Sequence, residues 1–319
     1  MTLPLPLAAA AAPSARRVGG IAFMVAALAC FGVLDTITQG VTALVPVIMV
    51  LWVRYALQTV LTLGMLGPRL GWRLVRTGRP AMQVLRGLLL MTCSALAIVS
   101  LRVMPVGEFT AIVMLTPLLL TVVAAVALHE RISWLRWACV LGGMVGTLLV
   151  IRPGAGLFQW ATLLPLLLVV CNTGFQVLTS RLAQTEDPGT MHFWTGCVGL
   201  VVTSAALPLA WTALPPSIWA ALLLIGSFGA LGHFLLIMAY SRTPVAVLTP
   251  YLYLQIAFAA AGGWLAFGHV PDGWSLSGIA LIAVCGVFGT WLTGREMLAR
   301  QDRREAQSTI EAIAGADAR

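Results

Sequence analysis

The sequence predicts an all-α integral membrane protein with ten transmembrane helices, arranged as two inverted five-helix repeats. Three observations lead to this prediction. Hydrophobic residues make up 60% of the 319 positions and charged residues only 9%, whereas a soluble domain carries roughly 25% charged residues. Ten apolar stretches fill most of the chain, and each is long enough to cross a hydrocarbon core of about 30 Å as a helix. The second five stretches resemble the first five at an offset of 139 residues.

None of the ten stretches alternates polar and apolar residues, which disfavours the strands of a membrane barrel. The predicted spans are 18–38, 43–66, 84–101, 109–128, 134–151, 157–179, 191–211, 218–240, 245–267 and 276–293. The chain then divides into an N-terminal segment (1–17), a first repeat (18–151), a second repeat (157–294) and a C-terminal tail (295–319).

The chain contains no lysine, so its net charge of +8 reflects nineteen arginines against eleven acidic residues. With the N-terminus in the cytoplasm, sixteen arginines fall on the cytoplasmic side, and only Arg102 and Arg152 fall on the other. This bias follows the positive-inside rule, and an even number of spans then puts both termini in the cytoplasm. The basic surplus therefore indicates orientation in a lipid bilayer and not binding of nucleic acid.

The repeat is supported by the way the offset aligns the helix breaks. Pro105 meets Pro244, and the polar break at Glu130 meets the one at His269, without a gap. Because five is odd, the second repeat enters the membrane from the opposite side. Inverted repeats of this kind are typical of secondary transporters.

Two charged residues inside predicted spans are candidates for a ligand site. Asp35 lies near the outer end of span one, and Arg54 lies midway along span two. An arginine at that depth costs at least about 2.5–3.5 kcal/mol on insertion scales, so it faces the bundle interior. It either attracts an anionic substrate group, alternating with Asp35, or forms a structural pair with a carboxylate or an unwound carbonyl.

Two further titratable residues are candidates for proton coupling, together with Asp35. Glu108 opens span four, where an acid also stabilises the helix N-terminus through its dipole. His233 lies in span eight and has a reference pKa near 6.5, although a membrane histidine is also commonly a hydrogen-bonded packing residue.

Proline-disturbed segments in spans four and nine predict a polar cavity near the membrane midplane. In span nine, Tyr251 and Gln255 are four residues apart and share a helix face, with Tyr253 between them and Pro250 loosening the turn. The offset superposes Thr116 of span four on Gln255. Asn172 and Gln176, one turn apart in span six, add hydrogen-bonding groups.

Several absences argue against catalysis. Without lysine there is no phosphate-binding loop of the Walker type and no Schiff base. The six cysteines lie within spans and form no CxxC pair, so neither a disulfide framework nor a metal site is expected. No Ser/His/Asp arrangement stands out either, and we expect neither a cofactor nor a metal.

At this point the chain resembles the drug/metabolite transporter superfamily, in its EamA-like group of ten-helix transporters, from about Arg17 to Arg295. The resemblance implies secondary transport across the inner membrane through a central cavity lined by both repeats. The group usually has glutamate where His269 stands, which puts a coupling role there in doubt. The span-nine pattern is similar to uptake members for riboflavin or S-adenosylmethionine, and the group also contains amino-acid exporters. The motifs that carry the resemblance are Val53-Arg54-Tyr55, Leu85-Arg86-Gly87, Leu128-His129-Glu130-Arg131 with Trp137, Ala239-Tyr240-Ser241, Pro250-Tyr251-Leu252-Tyr253 and Phe267-Gly268-His269-Val270-Pro271-Asp272.

We therefore expect a secondary transporter, monomeric or homodimeric, of a small polar or aromatic metabolite that is amino-acid, nucleoside-like or vitamin-like. Two alternatives stay open: a membrane-embedded enzyme, and a membrane receptor or scaffold without transport. The predicted substrate-binding residues are Arg54, Thr116, Asn172, Gln176, Tyr251, Tyr253 and Gln255. The predicted coupling residues are Asp35, Glu108 and His233.

Overall fold

The computed structural model describes residues 12–127, 134–151, 163–243, 248–289, 291–292 and 295. Within these ranges the chain forms helices and turns and no strand. Short 3₁₀ helices follow α2 and α8 (Gly71–Leu74 and Leu207–Leu209) and precede α10 (Thr249–Tyr253). The α-helices are α1 (Ala12–Val41), α2 (Val47–Leu70), α3 (Pro80–Ser100), α4 (Val106–Val113), α5 (Thr116–Ala127), α6 (Trp134–Ile151), α7 (Leu163–Leu182), α8 (Pro188–Ala206), α9 (Pro216–Arg242), α10 (Leu254–Phe267) and α11 (Gly273–Gly289).

Six helical stretches of the described chain are long and apolar enough to cross a membrane. They correspond to α1, α2, α3, α7, α8 and α9. The stretches of α2 and α8 include the 3₁₀ helices that follow them. The other four predicted spans contain shorter apolar helices: Val106–Leu120, Trp137–Leu149, Tyr251–Phe267 and Gly273–Gly289. The all-helical membrane class is therefore confirmed, while the number of ten spans stays a prediction.

The predicted span 109–128 is interrupted in the structure. Helix α4 ends at Val113 and α5 begins at Thr116. Pro117 has no backbone N–H to donate to residue 113, and its ring disfavours a continuous helix through that turn. The predicted span 245–267 is interrupted in the same way, because the 3₁₀ helix with Pro250 precedes α10.

Several predicted boundaries differ from the helix ends by a few residues, and some predicted segments fall outside the described residues. Helix α8 begins at Pro188, three residues before the prediction. The Asp187 carboxylate caps it by accepting hydrogen bonds from the backbone of Gly189 (2.7 Å) and Thr190 (3.4 Å). Helix α1 already begins at Ala12. The start of the N-terminal segment, the break at Glu130, the connection 152–162 and the tail beyond residue 295 lie outside the described residues.

Helices from the first half of the chain pack mainly against helices from the second half. The main pairs are α1 with α9, α2 with α8, α3 with α7, α2 with α9, α1 with α10 and α3 with α8. Small residues allow this close packing, as they do between membrane helices in general. At Gly199 of α8, a Cβ atom would overlap the ring of Tyr55 on α2. The interior of the bundle is therefore formed by helices of both halves.

Candidate functional site

A cavity of about 120 Å³ lies between the two halves of the chain. Its wall is built from α1, α2, α3, α4, α5, α7, α9, α10 and the 3₁₀ helix before α10. An engineered apolar cavity of about 150 Å³ holds one benzene molecule, so a group of that size is near the limit here. The polar and titratable side chains in the lining are Asp35, Arg54, Cys93, Ser94, Thr116, Asn172, Gln176, His233 and Gln255.

Arg54 is the cation of this cavity, and it is only 6% exposed. Its Nη1 donates to Ser94 Oγ on α3 at 2.9 Å, and its Nη2 donates to His233 Nε2 on α9 at 2.7 Å. Its Nε has no hydrogen-bond partner. Among the described residues, the hydrogen bonds of this guanidinium therefore go to a hydroxyl and an imidazole and not to a carboxylate. The predicted structural pair between Arg54 and a carboxylate is absent from these contacts.

The hydrogen bond from Arg54 determines which nitrogen of His233 carries the proton. A guanidinium only donates, so Nε2 of His233 accepts and the ring is neutral with its hydrogen on Nδ1. That Nδ1–H is buried and has no partner. The ring lies 4.8 Å from the ring of Phe31 and 6.0 Å from that of Phe175, measured between centroids. While Arg54 holds this geometry, Nε2 is unable to take up a proton, which limits the predicted coupling role of His233.

Asp35 places a carboxyl group in the wall of the cavity and is 7% exposed. Its Oδ2 accepts a hydrogen bond of 3.4 Å from Nε2 of Gln255 on α10. Asp35 and Arg54 line the same cavity. Each is nevertheless hydrogen-bonded to other, neutral side chains.

Three of the predicted neutral residues complete the polar wall. Asn172 Nδ2 on α7 donates to Thr116 Oγ1 on α5 at 3.4 Å, a link between the two halves. Gln176, one turn after Asn172, accepts at Oε1 from the Tyr240 hydroxyl at 2.8 Å. Gln176 itself also lines the cavity.

Tyr251, Tyr253 and Glu108 lie outside the lining. Tyr251 is partly buried against the hydrophobic core, and Tyr253 fills the space beside Gly286 of α11, where a Cβ atom would overlap its ring. The prediction that Tyr251 and Gln255 share a face assumed a continuous α-helix, but the 3₁₀ helix up to Tyr253 changes the angular spacing. Glu108 accepts a hydrogen bond of 3.4 Å from Ser275 Oγ, away from the cavity.

Sequence reasoning missed Ser94, Phe31 and Phe175, and it treated Arg86 as a cytoplasmic flank. Ser94 is hard to detect because a serine in a helix commonly bonds the carbonyl four residues earlier, as it also does here to Leu90 (2.8 Å). Arg86 is fully buried, and its guanidinium donates to the Met191 carbonyl, Thr195 Oγ1 and Thr179 Oγ1. It therefore joins α3 to α7 and α8 inside the bundle.

Metal binding has no support within the described part of the chain. There, no group of three or more His, Cys, Asp or Glu side chains lies close enough together to hold an ion. All six cysteines are free thiols. The cavity instead offers a buried guanidinium, a buried carboxyl group, several amide and hydroxyl groups, and aromatic walls.

The chain is similar to one protein family and to several proteins that are named as transporters. The model of the EamA-like transporter family matches residues 18–152 and again residues 159–292. A riboflavin transporter of Rhizobium johnstonii is 28% identical over 276 residues, 86% of this chain and 91% of that protein. An S-adenosylmethionine uptake transporter of Rickettsia bellii is 30% identical over 220 residues, 68% of this chain and 75% of that protein. A pseudopaline exporter of Pseudomonas aeruginosa is 26% identical over 272 residues, 83% of this chain and 93% of that protein.

One solved crystal structure superposes on the chain with a TM-score of 0.63. The two sequences are 19% identical, and the superposition covers 90% of this chain and 99% of the other. At this level of identity the similarity supports the fold alone.

Proposed function

Because the chain belongs to the EamA-like transporter family, we propose that this multi-pass membrane protein moves a small polar or aromatic metabolite across the bacterial inner membrane by alternating access. Similar proteins are named as transporters of riboflavin, S-adenosylmethionine and pseudopaline, which supports a small metabolite as the substrate. The single observation that carries the proposal is Arg54, a buried cation with neutral hydrogen-bond partners beside a cavity.

The energetics of Arg54 favour a binding role over a purely structural one. A buried charge is expensive unless it is paired, and in a membrane helix the penalty is at least about 2.5–3.5 kcal/mol. Ser94 and His233 satisfy two of its N–H groups but do not neutralise its charge. An anionic group of a substrate in the cavity would do so, and the penalty would then be offset only when the ligand is bound.

We propose in addition that the chain forms ten spans in two inverted repeats, 18–151 and 157–294. The offset of 139 residues carries the start of α6 (Trp134) onto the start of α11 (Gly273), and the start of α5 (Thr116) to within one residue of the start of α10 (Leu254). It also exchanges the pair α1–α9 with the pair α3–α7, and both pairs are in contact. These matches support a two-fold relation between the halves, with both termini in the cytoplasm.

The proposed substrate-binding residues are Arg54, Thr116, Asn172, Gln176 and Gln255, all of which line the cavity. Tyr251 and Tyr253 act indirectly, by packing behind it. If transport is coupled to protons, Asp35 is the proposed carrier, because its carboxylate lies in the cavity.

The proposal is tested by flux in proteoliposomes that contain the purified full chain. The panel comprises riboflavin, S-adenosylmethionine and the common amino acids, each in uptake and efflux mode, with and without a proton gradient. We expect saturable flux of at least one compound above that of empty liposomes. Binding without flux for every compound would contradict transport.

The site is tested by the variant Arg54→Ala in the same assay. Loss of charged hydrogen bonds and of the substrate's counter-charge is expected to lower flux at least about 100-fold. The matched control is Arg69→Ala, an exposed arginine on the same helix, which should transport normally. Normal flux in Arg54→Ala, with normal membrane insertion, would assign Arg54 a structural role instead.

A further inference from the structure

We infer that a groove on the lateral face of the bundle binds an anionic phospholipid. One acyl chain lies between α2 and α9, and the phosphate binds arginines at the end of α2. The groove is separate from the cavity described above, because the two have no lining residue in common. The inference therefore goes beyond the proposed function and does not depend on which metabolite is moved.

The groove has a volume of about 280 Å³ and follows the helices that form it. Helix α2 contributes residues between Leu61 and Leu66, α9 contributes residues between Ser227 and Phe234, and α8 contributes His192. The α9 wall alone extends about 10 Å along the helix, at 1.5 Å per residue. Both α2 and α9 are long and apolar enough to cross a membrane, so the groove runs in the direction of the lipid acyl chains.

The polar side chains at the base of the groove already have partners in the protein. His192 Nε2 donates to the Ala230 carbonyl at 2.9 Å. Thr62 Oγ1 lies within hydrogen-bond distance of both His192 Nδ1 (2.7 Å) and the Gln58 carbonyl (2.6 Å). Ser227 is the other polar side chain of the lining, which contains no aspartate, glutamate or arginine among the described residues. A ligand here therefore gains free energy by burying apolar surface.

The edges of the groove lie on the surface that faces lipid. Met65 is 71% exposed and Leu231 is 49% exposed. The ring of Phe234 packs edge-on against the imidazole of His192, 5.5 Å away between centroids, and closes the base. An engineered apolar cavity of about 150 Å³ holds one benzene molecule. The larger groove therefore accommodates a segment of an acyl chain, while the rest of the lipid lies outside it.

Two arginines lie beyond one end of the groove. Arg69 follows Met65 by four residues and Leu66 by three, so it continues the same face of α2 one turn further along. Arg73 follows in the 3₁₀ helix, and both arginines are exposed. Trp72 is 79% exposed, and exposed tryptophan is typical of the membrane–water interface. Arginines at this depth bind the phosphates of anionic lipids.

The acidic residues at this end of the bundle are bonded to backbone N–H groups. They precede α8, whose Gly189 adjoins the end of α2, because a Cβ atom there would lie 3.0 Å from Leu70. Glu186 Oε1 accepts a hydrogen bond from Gly78 N at 3.1 Å, and Asp187 Oδ1 accepts one from Gly189 N at 2.7 Å. An anionic head group is therefore the complementary partner for the two arginines.

The inference is tested by counting bound lipids with native mass spectrometry. The purified full chain is delipidated in detergent and titrated with dioleoyl phosphatidylglycerol, which is anionic. Dioleoyl phosphatidylcholine, which has the same chains and no net charge, is the comparison. The unmodified chain should bind one phosphatidylglycerol about 10–30-fold more tightly than phosphatidylcholine, because each arginine near the membrane surface strengthens binding of an anionic lipid several-fold. Equal binding of the two lipids would overturn the inference.

Variants separate the head-group contacts from the acyl-chain contacts. In the double variant Arg69→Gln with Arg73→Gln, the two lipids should bind within about threefold of each other. Ser227→Trp should weaken both lipids about tenfold, because its ring fills the groove and the acyl chain loses buried area. The matched controls are Arg181→Gln and Val201→Trp, two exposed positions outside the groove lining, and both should bind as the unmodified chain does. Unchanged lipid binding in Ser227→Trp would overturn the placement in the groove.

A second measurement locates the lipid without any variant. Phosphatidylglycerol that carries a diazirine in one acyl chain is irradiated with the unmodified chain at a low ratio of lipid to protein. Mass spectrometry of the peptides should find the label enriched in segments 61–66 and 227–234. Label spread evenly over the exposed helices would overturn the inference, and so would a dimer that dissociates in Ser227→Trp, since a second copy would then fill the groove.

The inference and the proposed function fail separately. Selective phosphatidylglycerol binding without flux of any compound would support the lipid site and contradict transport. Saturable flux together with equal binding of the two lipids would support transport and overturn the lipid site.

Discussion

The two halves of the chain differ in charge although they share a helix pattern. Equivalent positions are related by the offset of 139 residues. The first half places Asp35, Arg54 and Arg86 inside the bundle. Their equivalents in the second half are Gly174, Phe193 and Ile225, which carry no charge. In the proposed repeat, these ionisable side chains therefore come from the first half alone, so a repeated helix pattern does not require repeated chemistry.

Polar groups, in contrast, occur at equivalent positions in both halves. Ser94 and His233 are separated by the same offset, and both accept a hydrogen bond from the Arg54 guanidinium. Thr116 and Gln255 are likewise equivalent, and both line the cavity. In the proposed repeat, neutral partners at equivalent positions thus surround one cation that has no equivalent in the second half.

The largest expected effect on stability concerns the packing of α2 on α8, where a large side chain of the first half lies against a glycine of the second half. The second half supplies Gly199 where the first half supplies the Tyr55 ring. Gly199→Val should lower the free energy of unfolding by about 1–3 kcal/mol, because a larger side chain overpacks this contact. Thermal unfolding in detergent measures the change. Gly64→Val on α2, where a Cβ atom would meet nothing within 4 Å, should alter stability by less than about 0.5 kcal/mol. Equal stability of the two variants would show that the close contact is absent.

The next effect concerns the two equivalent partners of Arg54. Ser94→Ala and His233→Ala should each weaken substrate binding about tenfold, because each removes a charged hydrogen bond that positions the guanidinium. Their combined effect should fall short of the product, since both residues act on one group. Substrate titrations of the two single variants and the double variant measure this coupling. The control is Ser204→Ala, an exposed serine outside the cavity lining whose hydroxyl accepts a hydrogen bond from Trp52 Nε1. Strict additivity would indicate that Ser94 and His233 act independently.

The smallest effect separates Thr116 from Gln255. Gln255 donates to the Asp35 carboxylate, whereas Thr116 is bonded to the neutral Asn172 amide. Gln255→Ala should therefore weaken binding about tenfold, and Thr116→Ala only about two- to fivefold, as expected for charged and neutral hydrogen bonds. The same titrations decide the order. A larger loss for Thr116→Ala would contradict the greater importance of the Gln255–Asp35 hydrogen bond for binding.

Much of the fold and part of the cavity follow from the sequence for physical reasons. Long apolar runs have to be helical in a membrane, since every backbone polar group needs an internal partner there. Arg54 was expected to face inward because exposure to lipid is costly, and it is buried. Proline was expected to disturb spans four and nine, since it lacks an N–H, but both spans were predicted as continuous helices and are interrupted in the structure.

The contacts between distant residues were beyond sequence reasoning. Arg54 and His233 are 179 positions apart, and nothing in either local pattern indicates the other. Tyr253 looked like a cavity residue, but the absence of a side chain at Gly286 gives its ring a packing site instead. Arg86 counted as a flanking charge in the arginine bias, because such a count does not distinguish a solvated guanidinium from a buried one.

The bridge from Arg54 to both Ser94 and His233 has a consequence for motion. Ser94 belongs to the first half and His233 to the second, so one guanidinium holds the two halves together across the cavity. A ligand that takes over the N–H group now bonded to His233 removes a link worth about 1.5–3 kcal/mol. That amount shifts a two-state equilibrium by about 10–100-fold. Occupancy of the cavity and loosening of the bundle are in this way thermodynamically linked through a single side chain.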